Sequence, residues 1–271
     1  MPRAQLNGLE LYYEETCAAP HWIPDRTPVL FIHGLSTDHT IWEKQVAAFS
    51  KDRPVIVVDV RGHGRSAKPE ANVYSIKQHA DDMIALLRHL GGPKVHVVGV
   101  SMGGMAAQQM ALRAPELLES IALICSSSEP PRQGSTLEWR LEVFDESRDL
   151  EGYIEKVFER ALISTVSKEA RDHLFQLSVH NSRSIQRTGI IETFSYDATR
   201  HLQNISIPTL VVGGKHDGSI PPVLSETLAS AIPGAKLVML SESGHAPYIE
   251  APEELNVVLG DFFSKFEGEQ R

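Results

Sequence analysis

Gly99-Val100-Ser101-Met102-Gly103, followed at once by Gly104, lies in VHVVGVSMGGMAAQQMA, between an apolar run and an Ala- and Gln-rich segment. A G-x-S-x-G string can hold a serine on a sharp strand-to-helix turn, where its hydroxyl is free to attack a carbonyl. Strand and helix backbones pass close together at such a turn, so the positions two residues either side of the serine must be small. Gly99 and Gly103 supply that room. With Gly and Ser each near 7% of residues, chance gives about 0.1 such strings in a chain of this length. The string alone decides little. Its placement between a strand and a helix makes Ser101 the expected nucleophile.

A serine hydroxyl is protonated at neutral pH, so it needs a general base, and the base needs an acid to orient it. Of twelve histidines, His96 shares the strand before Ser101 but points along the wrong register. Two later loops begin where apolar runs end, GGKHDGSIPP after LVV and SESGHAPYIEAPEE after KLVML. The first offers Asp217 and the second His245, each where the C-terminal edge of a parallel sheet gathers reactive groups. Glu129 is the next acid in line.

Short runs rich in Val, Ile and Leu predict strands over 28–32, 55–59, 95–100, 121–125, 209–212 and 236–240. Several are apolar on both parities, as strands covered on both faces must be. Residues 3–16 predict a hairpin turning at Asn7-Gly8. Between the runs, helical spacing predicts helices over 75–90, 102–113 and 252–266, the first ending at Gly91-Gly92-Pro93. Alternating strands and helices imply right-handed crossovers and an α/β architecture around a mostly parallel, doubly wound sheet. Residues 129–203 break the rhythm, with helical patterns at 137–144 and 153–162 and no convincing strand. They are expected to form a helical lid inserted in a core made of 1–128 and 204–271.

The ordered series FIHG, DVRGHGRS, GVSMGG, GKHDGSIPP and SGHAPYIEAPEE resembles the α/β-hydrolase fold superfamily over nearly the whole chain. That resemblance implies Ser101 as nucleophile, Asp217 as acid and His245 as base. It also implies an oxyanion hole made by the backbone N–H groups of Met102 and of Leu35, which follows His33-Gly34. His33 is then expected to tie down its loop rather than to catalyse, and Asp59 to Ser66 to form a structural turn. Residues 28–128 are most similar to the 3-oxoadipate enol-lactonase and small carboxylesterase branch. The implied reaction is hydrolysis of a small ester or lactone through an acyl-enzyme, with no cofactor. Carbon–carbon bond hydrolysis, perhydrolysis by the same triad, and slow-turnover receptors on this fold are the alternatives. Related carbon–carbon hydrolases often carry Asn where this chain has Val100.

Trp139, Phe144, Tyr153, Phe158 and Phe175 are candidates to line a pocket under the lid, with ordinary core packing as the competing reading. Trp42 is expected to pack behind the oxyanion loop. A small cavity containing an Arg or Lys would mark an acidic substrate, and an apolar tunnel a longer acyl chain.

The 271 residues carry 26 Lys and Arg against 35 Asp and Glu, a formal charge of −9. That balance repels phosphate backbones, and no basic cluster interleaves with aromatics, so nucleic acid is a poor partner. No apolar stretch approaches the ~18 residues that span a bilayer, and the N-terminus lacks the pattern of a secretory signal. Cys17 and Cys125 are too few for a disulfide framework or a thiolate zinc site, which suggests a reduced, cytoplasmic setting. No H-E-x-x-H marks a metal site. Gly62 to Ala67 fits a dinucleotide-binding string, but Pro69 interrupts any helix there. Gly99 and Gly104 have phosphate-loop spacing, but Met105-Ala106 replace the Lys-Ser/Thr pair. A homo-oligomer is allowed by the sequence.

Overall fold

Alternate residues of the central strands are buried on opposite sides, Val29 and Phe31 in one apolar cluster and Leu30 and Ile32 in the other. A strand buried on both faces must lie inside a sheet covered by helices on each side. The computed structural model describes residues 2–17, 26–69, 74–163 and 165–266. Its first half holds β1 (Arg3–Leu6), β2 (Leu9–Thr16), β3 (Val29–Ile32), α1 (Glu43–Phe49), β4 (Val55–Asp59), α2 (Ile76–His89), β5 (Val95–Val100), α3 (Met102–Arg113) and β6 (Leu118–Ile124). Four helices follow, α4 (Leu137–Glu146), α5 (Leu150–Ala161), α6 (Lys168–Ser178) and α7 (Arg183–Phe194). The chain then returns through β7 (Thr209–Gly214), α8 (Pro222–Ala231), β8 (Lys236–Leu240), α9 (Pro247–Glu250) and α10 (Pro252–Phe263).

The eight strands run in the order β1-β2-β4-β3-β5-β6-β7-β8. β1 and β2 are antiparallel additions at one edge, and β3 to β8 pair in parallel. The hairpin turns at Asn7 and Gly8, with φ of 51° and 78°, as a two-residue turn matched to strand twist requires. The sheet is therefore the mostly parallel one expected, with α4 to α7 inserted between β6 and β7. Helix α2 starts on a reciprocal capping box, Ser75 with Gln78, which satisfies two end donors at once. Helices α6 and α7 and the shorter α1, α8 and α9 are additions to the helices anticipated from spacing.

Helix α3 lies against the sheet so closely that glycine is required at the contact. A Cβ at Gly103 would stand 2.6 Å from the His33 carbonyl oxygen and would overlap that of Ile32 as well. A Cβ at Gly99 would overlap the Gly103 carbonyl. Backbone cannot retreat as a flexible side chain can. Gly103→Ala is therefore expected to destabilise the fold by about 4 kcal/mol or more. Chemical denaturation of the variant measures it, and a loss below 1 kcal/mol would show that α3 can slide.

Candidate active site

Strand β5 ends at Val100 and α3 begins at Met102, which leaves Ser101 alone to reverse the chain. It does so with φ 53° and ψ −117°, and its side chain does not cap the helix behind it. Positive φ in a residue with a Cβ is strained, and such strain persists only where the surroundings over-determine it. Here the Ser101 N–H donates to the Ile124 carbonyl at 2.8 Å, and the Ser101 carbonyl accepts from the Ser126 hydroxyl at 2.9 Å. The hydroxyl is left facing a cavity.

Asp217 sits three residues beyond β7, almost fully buried. Its Oδ1 accepts the N–H groups of Ser219 and Ile220, both at 2.8 Å. Its Oδ2 stands 2.7 Å from Nδ1 of His245. The two backbone donors use one oxygen and aim the other at the ring. His245 follows β8 by five residues, and its own N–H donates to the Ala161 carbonyl at 2.7 Å. Glu250 braces the loop: one oxygen accepts from the N–H of Gly244 at 2.9 Å and of Ala246 at 3.0 Å, and from the Ser243 hydroxyl at 3.1 Å. The other oxygen accepts from the Ile163 N–H at 2.8 Å.

Ser101 and His245 line one cavity of about 70 Å³ together with Leu35, Tyr153, Phe158 and Tyr248. No hydrogen bond joins the Ser101 hydroxyl to the His245 ring among the described residues; such contacts commonly tighten only when substrate is bound. Burial, and the Asp217 carboxylate beside it, push the Cys125 thiol up, so it stays protonated next to the His245–Asp217 pair.

Leu35 lies in the turn after β3, and Met102 follows Ser101 as the first residue of α3. Neither backbone N–H donates to another backbone group among the described residues, and the Met102 N–H also opens a helix, where negative charge is favoured. The Val60 N–H donates to His33 Nε2 at 3.0 Å, so the ring proton is on Nδ1, 2.7 Å from the Gly34 carbonyl. His33 thereby ties the loop before Leu35 to the end of β4. Asp59 accepts from the His39 N–H at 2.8 Å, the His39 ring at 2.7 Å and the Arg65 N–H at 2.7 Å. The segment from Asp59 to Ser66 is a hydrogen-bonded turn.

His33, His63 and His79 stack edge to face beneath this loop, with centroids 5.3 Å and 6.5 Å apart. Burial pushes all three rings down, His63 to about 3, and burial with Arg53 nearby also takes His96 to about 3. The unfolded chain, with ordinary histidines near 6.5, binds more protons than the folded one over that interval. The stability that these four rings contribute is therefore full above pH ~6.5 and is lost as pH falls toward ~3. Melting temperatures are expected to fall steadily from pH 7 to pH 4.5; a flat profile would mean the rings can ionise in place.

Of the aromatic candidates, Tyr153 and Phe158 line the cavity. Trp139, Phe144 and Phe175 are not among its lining residues. Phe144 packs on Tyr153 at 5.2 Å and Phe175 on Phe158 at 6.2 Å, so each backs a cavity residue. Trp139 lies under the Arg160 guanidinium at 4.1 Å. Trp42, fully buried, packs on Phe31 and Tyr248 at 5.0 and 5.5 Å. His96 bonds the Ser120 hydroxyl at 2.7 Å and stacks on Phe263. Glu129 lines a separate surface groove with Pro130 and Arg132.

Arg140 lines the same cavity as Ser101 and escaped the sequence reading. A signal was present: it stands in the apolar stripe of Leu137, Leu141 and Phe144 at helical spacing, where a charge is out of place. Glu250 had no comparable signal.

An α/β sheet with a strained serine between strand and helix, facing the loops that follow its last two strands, defines a hydrolase of the α/β-hydrolase fold. Residues 27–252 match the alpha/beta hydrolase fold family, and the chain belongs to it. It is 30% identical over 239 residues to RutD of Pseudomonas savastanoi pv. phaseolicola, by its name a carbamate hydrolase, covering 85% of this chain and 91% of that one. Among solved structures, the enol-lactonase from Burkholderia xenovorans LB400 superposes with a TM-score of 0.87 at 25% identity, over 97% of this chain and 100% of that one. A thermophilic esterase from Thermogutta terrifontis gives 0.86 at 27% identity, over 99% and 100%. No helix of the described residues is long and apolar enough to cross a membrane.

Proposed function

We propose that the protein is a serine hydrolase that cleaves a small carboxylic ester or lactone through an acyl-enzyme on Ser101. The observation that carries this reading is the His245 ring, held by Asp217 through Nδ1 at 2.7 Å, on the same cavity as a serine forced into positive φ. His245 Nε2 takes the Ser101 proton as Oγ attacks the carbonyl carbon. The carbonyl oxygen becomes an anion received by the N–H groups of Leu35 and Met102. The tetrahedral species collapses, His245 returns the proton to the leaving oxygen, and the acyl group stays on Oγ. Water then enters, gives its proton to His245, and releases the acid by the same route in reverse. In a lactone the leaving oxygen remains tethered, and one hydroxy acid departs.

Residues 1–128 and 204–271 form the core in this reading, and 129–203 the lid. The enol-lactonase and esterase likenesses support the ester and lactone class. The RutD likeness favours a second substrate type, a carbamate, whose carbonyl the same machinery would attack.

Proton release followed in parallel on short p-nitrophenyl esters, enol-lactones and alkyl carbamates tests the reading. Many turnovers per enzyme are expected on at least one oxygen ester, with a fluorophosphonate adduct mapping to Ser101. A single slow turnover would indicate a receptor instead, and labelling elsewhere would remove Ser101.

A further inference from the structure

We propose that Arg140 receives a carboxylate carried by the substrate, so that the ester or lactone taken by this site is an acidic one. The proposal rests on the hydrolase reading above and names its substrate class.

Arg140 projects from α4 into the cavity it shares with Ser101 and His245, and only 5% of it is exposed. Its Nη1 donates to the Tyr153 hydroxyl at 3.3 Å and its Nη2 to the Ser219 hydroxyl at 2.5 Å. Its guanidinium lies 4.4 Å from the Phe194 ring centre. Every one of these partners is neutral. No Asp or Glu lines the cavity, and no ion pair to Arg140 occurs among the described residues. Arg61 shows how this fold otherwise buries a guanidinium: Asp82 meets it with both oxygens, at 2.6 and 2.7 Å.

A guanidinium cannot shed its proton, so the charge persists. It carries five N–H donors, and two are used. Nε is sealed from solvent and has no partner. The Thr193 hydroxyl, a second polar group on the same cavity, is also buried without a partner. A cation with unused donors on the same cavity as an unused hydroxyl suits an oxygen-rich anion, and the planar fork suits a carboxylate in particular.

Ser219 fixes where that anion would sit. The residue whose hydroxyl holds Arg140 also donates its N–H to Asp217, so the cation is tied to the loop that orients His245. A cavity of about 70 Å³ holds only a few waters. The small volume therefore favours a short acyl chain.

The test follows proton release from monomethyl succinate and from methyl 4-methylpentanoate, in which an isopropyl group replaces the carboxylate at nearly the same shape. Wild-type kcat/KM is expected to favour the acidic ester by about 100-fold, and Arg140→Met to erase most of that ratio. A wild-type ratio near one, or a preference that survives in Arg140→Met, would overturn the assignment while leaving the hydrolase intact. Failure to turn over either ester would count against the hydrolase reading itself. In that case, or should Arg140→Met not fold, calorimetry on the wild type decides. Succinate binding about 100-fold tighter than succinamide supports the cation site, and equal binding refutes it.

Discussion

Ser101→Ala is expected to lower kcat by about 10⁶-fold on any ester the protein turns over. Without Oγ there is no atom to carry the acyl group, and what survives is water attack assisted by the oxyanion donors alone. The fold should scarcely notice. Alanine has the same Cβ, so it meets the same strain at φ 53° that serine meets. The hydroxyl it removes does not cap α3, and the backbone bonds to Ile124 and Ser126 are untouched. The melting temperature is expected within about 2 °C of wild type, since the free-energy change is small. Burst-free assays that retain activity within tenfold of wild type would place the nucleophile elsewhere.

Asp217→Asn is the second large effect, about 10⁴-fold in kcat with the fold retained. The reason is specific to how this carboxylate is held. Ser219 and Ile220 both donate N–H groups to Oδ1, so an asparagine must present its carbonyl oxygen to them. Its NH₂ then faces His245, where Oδ2 now stands 2.7 Å from Nδ1. Two donors cannot share a hydrogen bond. His245 must move its proton to Nε2 and accept at Nδ1, and in that tautomer it cannot take a proton from Ser101. NMR of the imidazole nitrogens would show the exchanged tautomer directly. Activity close to wild type would show that another acid orients the ring.

Local chemistry made much of this legible in advance. Asn7-Gly8 specifies a hairpin because both residues must take positive φ. Strands such as Val95–Val100, buried throughout, read correctly because strand residues facing two helical layers have no polar side to show. Gly99 and Gly103 locate Ser101 because their missing side chains are what the close backbone contact demands. The helices α6 and α7 were harder to see. Only Leu174 and Ser178 of α6 are buried, so its apolar stripe is thin. Helix α7 carries Gly189, a weak helix former, at a point where a Cβ would overlap the Leu35 side chain. Arg140 and the Glu250 brace depend on residues far apart in the chain, which spacing along one element does not reveal.

The end of α5 has a consequence for the cavity wall. The Ala161 carbonyl anchors the His245 N–H, the Ile163 N–H reaches Glu250, and a Cβ on Gly244 would come within 2.5 Å of the Ala161 oxygen. Swinging this helix outward would unmoor the ring to which the proposed reaction assigns the base. α5 is thus the moored wall of the cavity, whereas α6 and α7 share no hydrogen bond with His245 among the described residues.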